Sequence, residues 1–344
     1  MMRSIAFVLA LLVTFTLSGR AVAADDVVRI PLNPTVMAYL PILVAIDRGY
    51  FKQQHIDLQV TSSDGSAMIQ LPALARGDFD IAPMVMAPGF LNQIGEGFNI
   101  KLIAAGQSSH AGWNSNSWIV VRQDMWDSGA IRKPADLRGK LVDGTSPGGP
   151  PDMLMHSLIA SAGLTTADMT FTEKLRGGAD VVAALHNHAV DVVAAFEPGA
   201  SVLQIQHLAH KFESVNDVIP WLQETFLAAS GQMLANHPDV VARFLVAYLE
   251  GARDVARSNG RWTPALLDTL SKHSGIAVSD LQQVPGPAYV DPAGSINVIS
   301  VDRQQEFYLS QHLINKLTPF ADMVDTRPLF AATRALAAQT TSHR

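Results

Sequence analysis

Two stretches of the chain carry backbone and side-chain groups suited to holding a small molecule. The first, Asn33 to Leu40 (NPTVMAYL), follows the β-branched run Val27 to Pro31. Asn33-Pro34 cannot continue a strand, so the backbone must turn there into a loop. The second, Gly144 to Pro151 (GTSPGGPP), runs into an expected helix from Asp152 to Ser161. Gly-rich backbone ahead of a helix with Pro at its start leaves N–H groups free, and free N–H groups suit an anion. The spacing is not that of a P-loop or of GxGxxG, and an ordinary Gly-Pro turn is the other reading.

Further polar and aromatic groups cluster in Gln107 to Ser117 (QSSHAGWNSNS), where Trp113 could stack on a planar ligand and Asn114, Ser115 and Asn116 orient its polar end. Trp113 could equally pack where two lobes meet, and Tyr39 is either a pocket hydroxyl or a core aromatic. Met84 and Met86 are adaptable ligand contacts or simple core filling. Glu197, ahead of Pro198, either accepts from a ligand donor or is an acid stabilised at a helix N-terminus. His186, His188, His207 and His210 offer H-x-H and H-x-x-H spacings, but nothing fixes a fourth ligand; solvated histidines are the expectation, with no metal site and no cofactor. The chain has no cysteine, hence no thiolate nucleophile and no disulfide framework.

These groups need elements to hold them. Pro41 can open a helix whose buried face is Ile42, Leu43, Ala45 and Ile46; Gly49 ends it, and Ile56 to Val60 forms the next strand. A strand, crossover helix and parallel strand within about 30 residues make a βαβ unit, with a crevice at the carboxyl ends of its strands. The pattern recurs through the strands Ile81 to Val85, Ile100 to Ala105, Trp118 to Arg122, Lys140 to Val142 and Asp191 to Phe196. Pro72 either kinks the helix after Ser66 or delays its start. From Pro238 onward longer helices take over: Val240 to Arg257, Pro264 to Ser274, Val278 to Gln283 and Arg303 to Leu317. Parallel α/β lobes with a helical tail are the expected class.

Of the 344 residues, 48% are hydrophobic and 16% charged, enough apolar material for one large or two medium domains. The first 23 residues carry Arg3, an apolar run from Ile5 to Leu17, and Ala21-Val22-Ala23, the pattern of a signal peptide cleaved after Ala23. Its removal takes Arg3 and Arg20 from the 25 basic residues and nothing from the 31 acidic ones, deepening the net charge from −6 to about −8. Nucleic acid is therefore excluded as a partner. The mature chain is expected to be a soluble monomer in an enclosed compartment such as the periplasm.

Six blocks together resemble a known family: Pro41 to Phe51 (PILVAIDRGYF), Leu74 to Ile81 (LARGDFDI), Asp136 to Val142 (DLRGKLV), Ala183 to Ala195 (AALHNHAVDVVAA), Glu197-Pro198, and Asn236-His237-Pro238. Their order and spacing are similar to those of periplasmic substrate-binding proteins of ABC transporters, in the nitrate, sulfonate and taurine branch that also includes the pyrimidine-precursor binders. The resemblance implies a two-lobed α/β periplasmic-binding-protein type II fold whose lobes close on a ligand. One lobe would be residues 27–110 with 224–335, the other 115–220. Their cleft would be lined by Thr35, Met37, Tyr39, Ser63, Ser66, Met84, Met86, Trp113, Asn114, Ser146, Gly148, Gly149 and Glu197. The implied activity is capture of a small organic anion, a sulfonate or carboxylate, and its delivery to an ABC permease and its ATPase. An enzyme on the same fold, a desulfinase or a pyrimidine-precursor synthase, is the alternative, and the missing cysteine argues against it.

Overall fold

The computed structural model describes residues 24–63 and 67–342; the expected signal segment lies outside the described residues. In the first lobe, β1 (Asp26–Leu32) and β2 (Ile56–Ser62) pair in parallel, with Val28 opposite Leu58 and Ile30 opposite Val60. The helix between them, Leu40–Asp47, carries Pro41 in its first turn and buries Ile42 and Leu43. This is the expected βαβ unit. Alternation in β1 sends Val28, Ile30 and Leu32 inward while Val27 remains exposed.

β3 (Ile81–Val85) and β4 (Ile100–Ala105) belong to the same lobe, and β5 (Gln107–Ser108) follows directly. The second lobe is a five-stranded sheet. Its strands are β6 (Ser117–Arg122), β7 (Leu141–Asp143), β8 (Thr170–Thr172), β9 (Val192–Phe196) and β10 (Ala209–Ser214), in the order β10-β6-β9-β7-β8. The chain then returns: β11 (Thr225–Ser230) inserts antiparallel between β3 and β4, with Phe226 opposite both Met84 and Ala105. A last short strand, β12 (Tyr289–Val290), pairs with β5.

Packing follows from the sheet geometry. In β6, Ile119 and Val121 enter one core and Val120 the core on the opposite face, so helices cover the second sheet on both sides. The first lobe buries β1, the helix Leu40–Asp47 and the long helix Pro238–Ala256 in one core, with Phe244 and Leu245 fully enclosed. Tyr248 of that helix donates its hydroxyl to Ala105 O at 2.8 Å. Replacing Tyr248 with Phe leaves that buried carbonyl without this donor, and a loss of about 1–2 kcal/mol in chemical denaturation is expected.

Several boundaries differ from the sequence reading. The helix expected over Arg303–Leu317 is Val298–Ser310, because the Asn297 side chain caps it by accepting from Ser300 N. The helix Ala67–Arg76 carries Pro72 within it. Strands β10 and β11 and the helix Arg327–Ser342 are additional to the expected elements. Among the described residues no helix is long and apolar enough to cross a membrane.

Candidate functional site

The chain passes between the two sheets twice, first from Ser108 to Ser117 and then from Ser214 to Thr225. The two passages bond to each other. Gly106 N donates to Thr225 O at 2.8 Å, Glu224 N to Gln107 O at 2.9 Å, and Ser109 N to Leu222 O at 2.8 Å. Around these bonds Gln107, Ser109, Asn116, Ser117, Gln223 and Glu224 are all buried, forming a polar layer at the junction of the lobes.

Glu224 is the charged group of that layer, with no exposed surface. One carboxylate oxygen, Oε2, accepts from the Ser117 hydroxyl and from the Asn116 amide. Its other oxygen has no partner, and neither does Gln107 Nε2. A buried polar atom without a partner is costly, so the layer is under-satisfied at these two atoms. Burial pushes the Glu224 acid up to about 7, against the lowering effect of its Ser117 and Asn116 bonds.

On the other side of the junction, the loop before the helix Pro150–Ser161 uses its own N–H groups. Gly144 N donates to Thr172 O, Thr145 N to Asp143 Oδ1, Gly148 N to Asp152 Oδ2 and Gly149 N to Ser146 O. Pro147, Pro150 and Pro151 have none to give. The Asp152 carboxyl, fully buried, thus sits where the sequence offered a seat to an external anion.

The same loop touches the first lobe. Gly148, at φ +74°, lies so close to Pro88 that a Cβ would fall 2.5 Å from its ring carbons and 3.3 Å from the Tyr308 ring. Tyr308 in turn donates to Met86 O at 3.1 Å. The lobes are in contact here.

The remaining sequence-derived candidates divide by environment. Met37 and Tyr39 are buried in the first-lobe core, the Tyr39 hydroxyl 3.5 Å from Pro83 O, and Met84 and Met86 are buried in the core beneath β3 and β4. Thr35 is exposed and bonds back to Asn33, and Ser63 accepts from Gln70. Ser66 lies outside the described residues. Ser146 is exposed and Gly149 caps the helix Pro150–Ser161. Trp113 meets Tyr289 edge to face at 5.4 Å. Asn114 donates to Gly260 O at 2.6 Å. Glu197 is committed to a local network, accepting from Ser201 N and hydroxyl and pairing with Lys211.

The Asn114 bond yields a test. Changing Asn114 to Ala is expected to lower stability by about 1 kcal/mol through the lost Gly260 bond, with solute affinity unchanged in calorimetry.

Glu224 is the group the sequence reading missed. Its signal was a lone acid at the head of an apolar run, Glu224-Thr225-Phe226-Leu227-Ala228-Ala229, in a stretch not read as a strand. Among the histidines, His186 is exposed and His210 stacks on Trp126 at 3.8 Å. Arg176 is exposed.

Comparison with solved structures supports the architecture. The ligand-binding component of an ABC-type import system from Staphylococcus aureus, solved with zinc bound, superposes with TM-score 0.71 at 17% identity, over 90% of this chain and 100% of that one. The alkanesulfonate-binding protein SsuA from Xanthomonas axonopodis pv. citri, bound to MOPS, gives 0.68 at 19%, over 88% and 99%. The desulfurization enzyme DSZB gives 0.64 at 15%, over 91% and 100%. At such identities the likeness establishes the fold, a two-lobed binding-protein architecture used by transport receptors and by an enzyme. No curated protein matches the chain in sequence. A family model does match, over residues 37–261, and in agreement with the resemblance read from the six sequence blocks the chain belongs to the NMT1/THI5-like family.

Proposed function

We propose that the chain is the periplasmic solute receptor of an ABC importer, holding a small organic solute between its lobes and delivering it to a membrane permease coupled to an ATPase. The observation that carries this reading is the buried polar layer where the chain crosses between lobes, with Glu224 Oε1 and Gln107 Nε2 left without partners. A fixed, enclosed donor and acceptor at a junction of two bodies is what a closing cleft needs to select a small polar molecule. The absence of cysteine supports a receptor over a thiolate-dependent enzyme of this fold.

The solute we favour presents a hydrogen-bond donor to Glu224. Of the loop N–H groups before the helix Pro150–Ser161, those of Gly144, Thr145, Gly148 and Gly149 are spent on the protein itself. The buried cations of the second lobe are committed too, Lys211 to Glu197 and Arg122 to Asp124 and Asp191. An amine, amide or protonated heterocycle answers an unpaired carboxylate better than a sulfonate does. A second reading, an organic anion with an apolar body, is supported by a cavity of about 320 Å³ at the second crossing. Trp221, Leu222 and Ile299 line it, with Arg303 on its wall.

A thermal-shift panel separates these readings. It sets amines, amides and pyrimidine precursors against sulfonates, aromatic carboxylates, nitrate and bicarbonate. A true ligand at about 100 times its Kd adds roughly 2.7 kcal/mol to the folded state. Stabilisation by one class is the expected outcome; no shift with any solute, together with turnover of one, would overturn the receptor reading.

A further inference from the structure

We propose that Asp152, His156 and Glu173 form a binding site for a divalent transition-metal ion beside the contact between the lobes. Asp152 and His156 stand one turn apart on the same face of the helix Pro150–Ser161, and Glu173 follows the end of β8. His156 Nε2 lies 3.5 Å from Asp152 Oδ1 and 3.7 Å from Glu173 Oε1, and the three donor atoms all fall within 4.8 Å of one another. An ion bonded at about 2.0–2.1 Å in tetrahedral geometry spaces its ligand atoms by roughly 3.3 Å. The two separations from His156 exceed this by only a few tenths of an ångström.

A second observation points the same way. Asp152 is wholly buried, yet its Oδ1 has no hydrogen-bond partner, and the imidazole nitrogen it faces is too distant to serve as one. The carboxyl is also held tightly: a Cβ on Gly144 would come 2.4 Å from Oδ1, so the backbone there closes over it. An enclosed oxygen that faces a histidine and a second carboxylate is satisfied by a cation.

The donor set selects the ion. Two carboxylates offset a 2+ charge, and an imidazole favours first-row metals such as zinc over magnesium or calcium. The Glu173 side chain is 31% exposed, which gives the ion a route in and leaves room for water as a further ligand. The ring of His156 meets Phe171 at 5.0 Å and Phe307, from the helix Val298–Ser310, at 5.3 Å. An ion held there would brace the second-lobe side of the contact made by Gly148.

The test uses the full chain without an affinity tag, stripped with EDTA and titrated with ZnCl₂ and, separately, MnCl₂ in a calorimeter. One ion per chain is expected, with Glu173→Gln weakening affinity at least about 30-fold and His156→Ala about 100-fold or more. Glu173 lies at the surface end of the site, so Glu173→Gln should melt in EDTA as the parent does and keeps the test valid if His156→Ala fails to fold. Absence of binding, or an ion bound with unchanged affinity in Glu173→Gln, overturns the proposal.

Discussion

Changing Glu224 to Gln is expected to weaken solute binding by about 10- to 150-fold while making the protein more stable at pH 8. The first effect follows from the loss of a charged acceptor in an enclosed layer, since a hydrogen bond to a buried charge is worth about 1.5–3 kcal/mol. The second follows from the direction of the acid's shift. Burial raises the Glu224 acid in the folded protein to about 7, above its ordinary 4.5. A group so raised contributes stability in full below about pH 4.5, and that contribution is lost as the pH climbs through 7. About 2.5 pH units of displacement correspond to at most roughly 3.4 kcal/mol. The difference in unfolding free energy between parent and variant should therefore grow in the variant's favour from pH 4.5 to 8. Denaturant melts at those two pH values measure it. A variant that binds solute as the parent does removes Glu224 from the site.

The other large effect belongs to Gly148. Its positive φ disfavours any side chain, and a Cβ would sit 2.5 Å from the Pro88 ring, which cannot swing aside as a flexible side chain could. Alanine here should prop the lobes apart. Because the affinity measured for a solute falls with the fraction of chain able to close, a bias of about 2–3 kcal/mol against contact lowers affinity some 30- to 150-fold. Small-angle scattering should record a larger radius of gyration for Gly148→Ala than for the parent in the presence of solute. An unchanged radius with unchanged affinity would mean that contact at Gly148 plays no part in binding.

How much of this was legible in the sequence depends on where the information lies. The first βαβ unit was read nearly residue by residue because Asn33-Pro34, Pro41 and Gly49 punctuate it locally. The six sequence blocks, spread along the chain in register, carried the two-lobed class and the family. Strands β10 and β11 were not legible. AHKFES lacks a clean apolar face, and TFLAAS is a short apolar run that periodicity cannot distinguish from a helix. Missing β11 hid Glu224, since the residue acquires meaning only when Thr225 and Gln107 are seen to bond across the two crossings.

The loop GTSPGGPP shows a different limit. Its local pattern offered N–H groups that a helix does not use, but which acceptor they meet is a tertiary matter, and Asp152 four residues on supplies one internally. The i, i+4 pair of Asp152 and His156 was visible in principle. Glu173, its third member, is brought in by the pairing of β7 with β8.

The receptor reading is tested most directly by calorimetry of the chain from residue 24 onward with the solute that stabilises it, followed by recovery of that solute and its identification by NMR. Binding of one molecule per chain, with the solute returned chemically unchanged and affinity collapsed in Glu224→Gln, is the predicted result. A solute returned as product, or no saturable binding by any member of the panel, would contradict it.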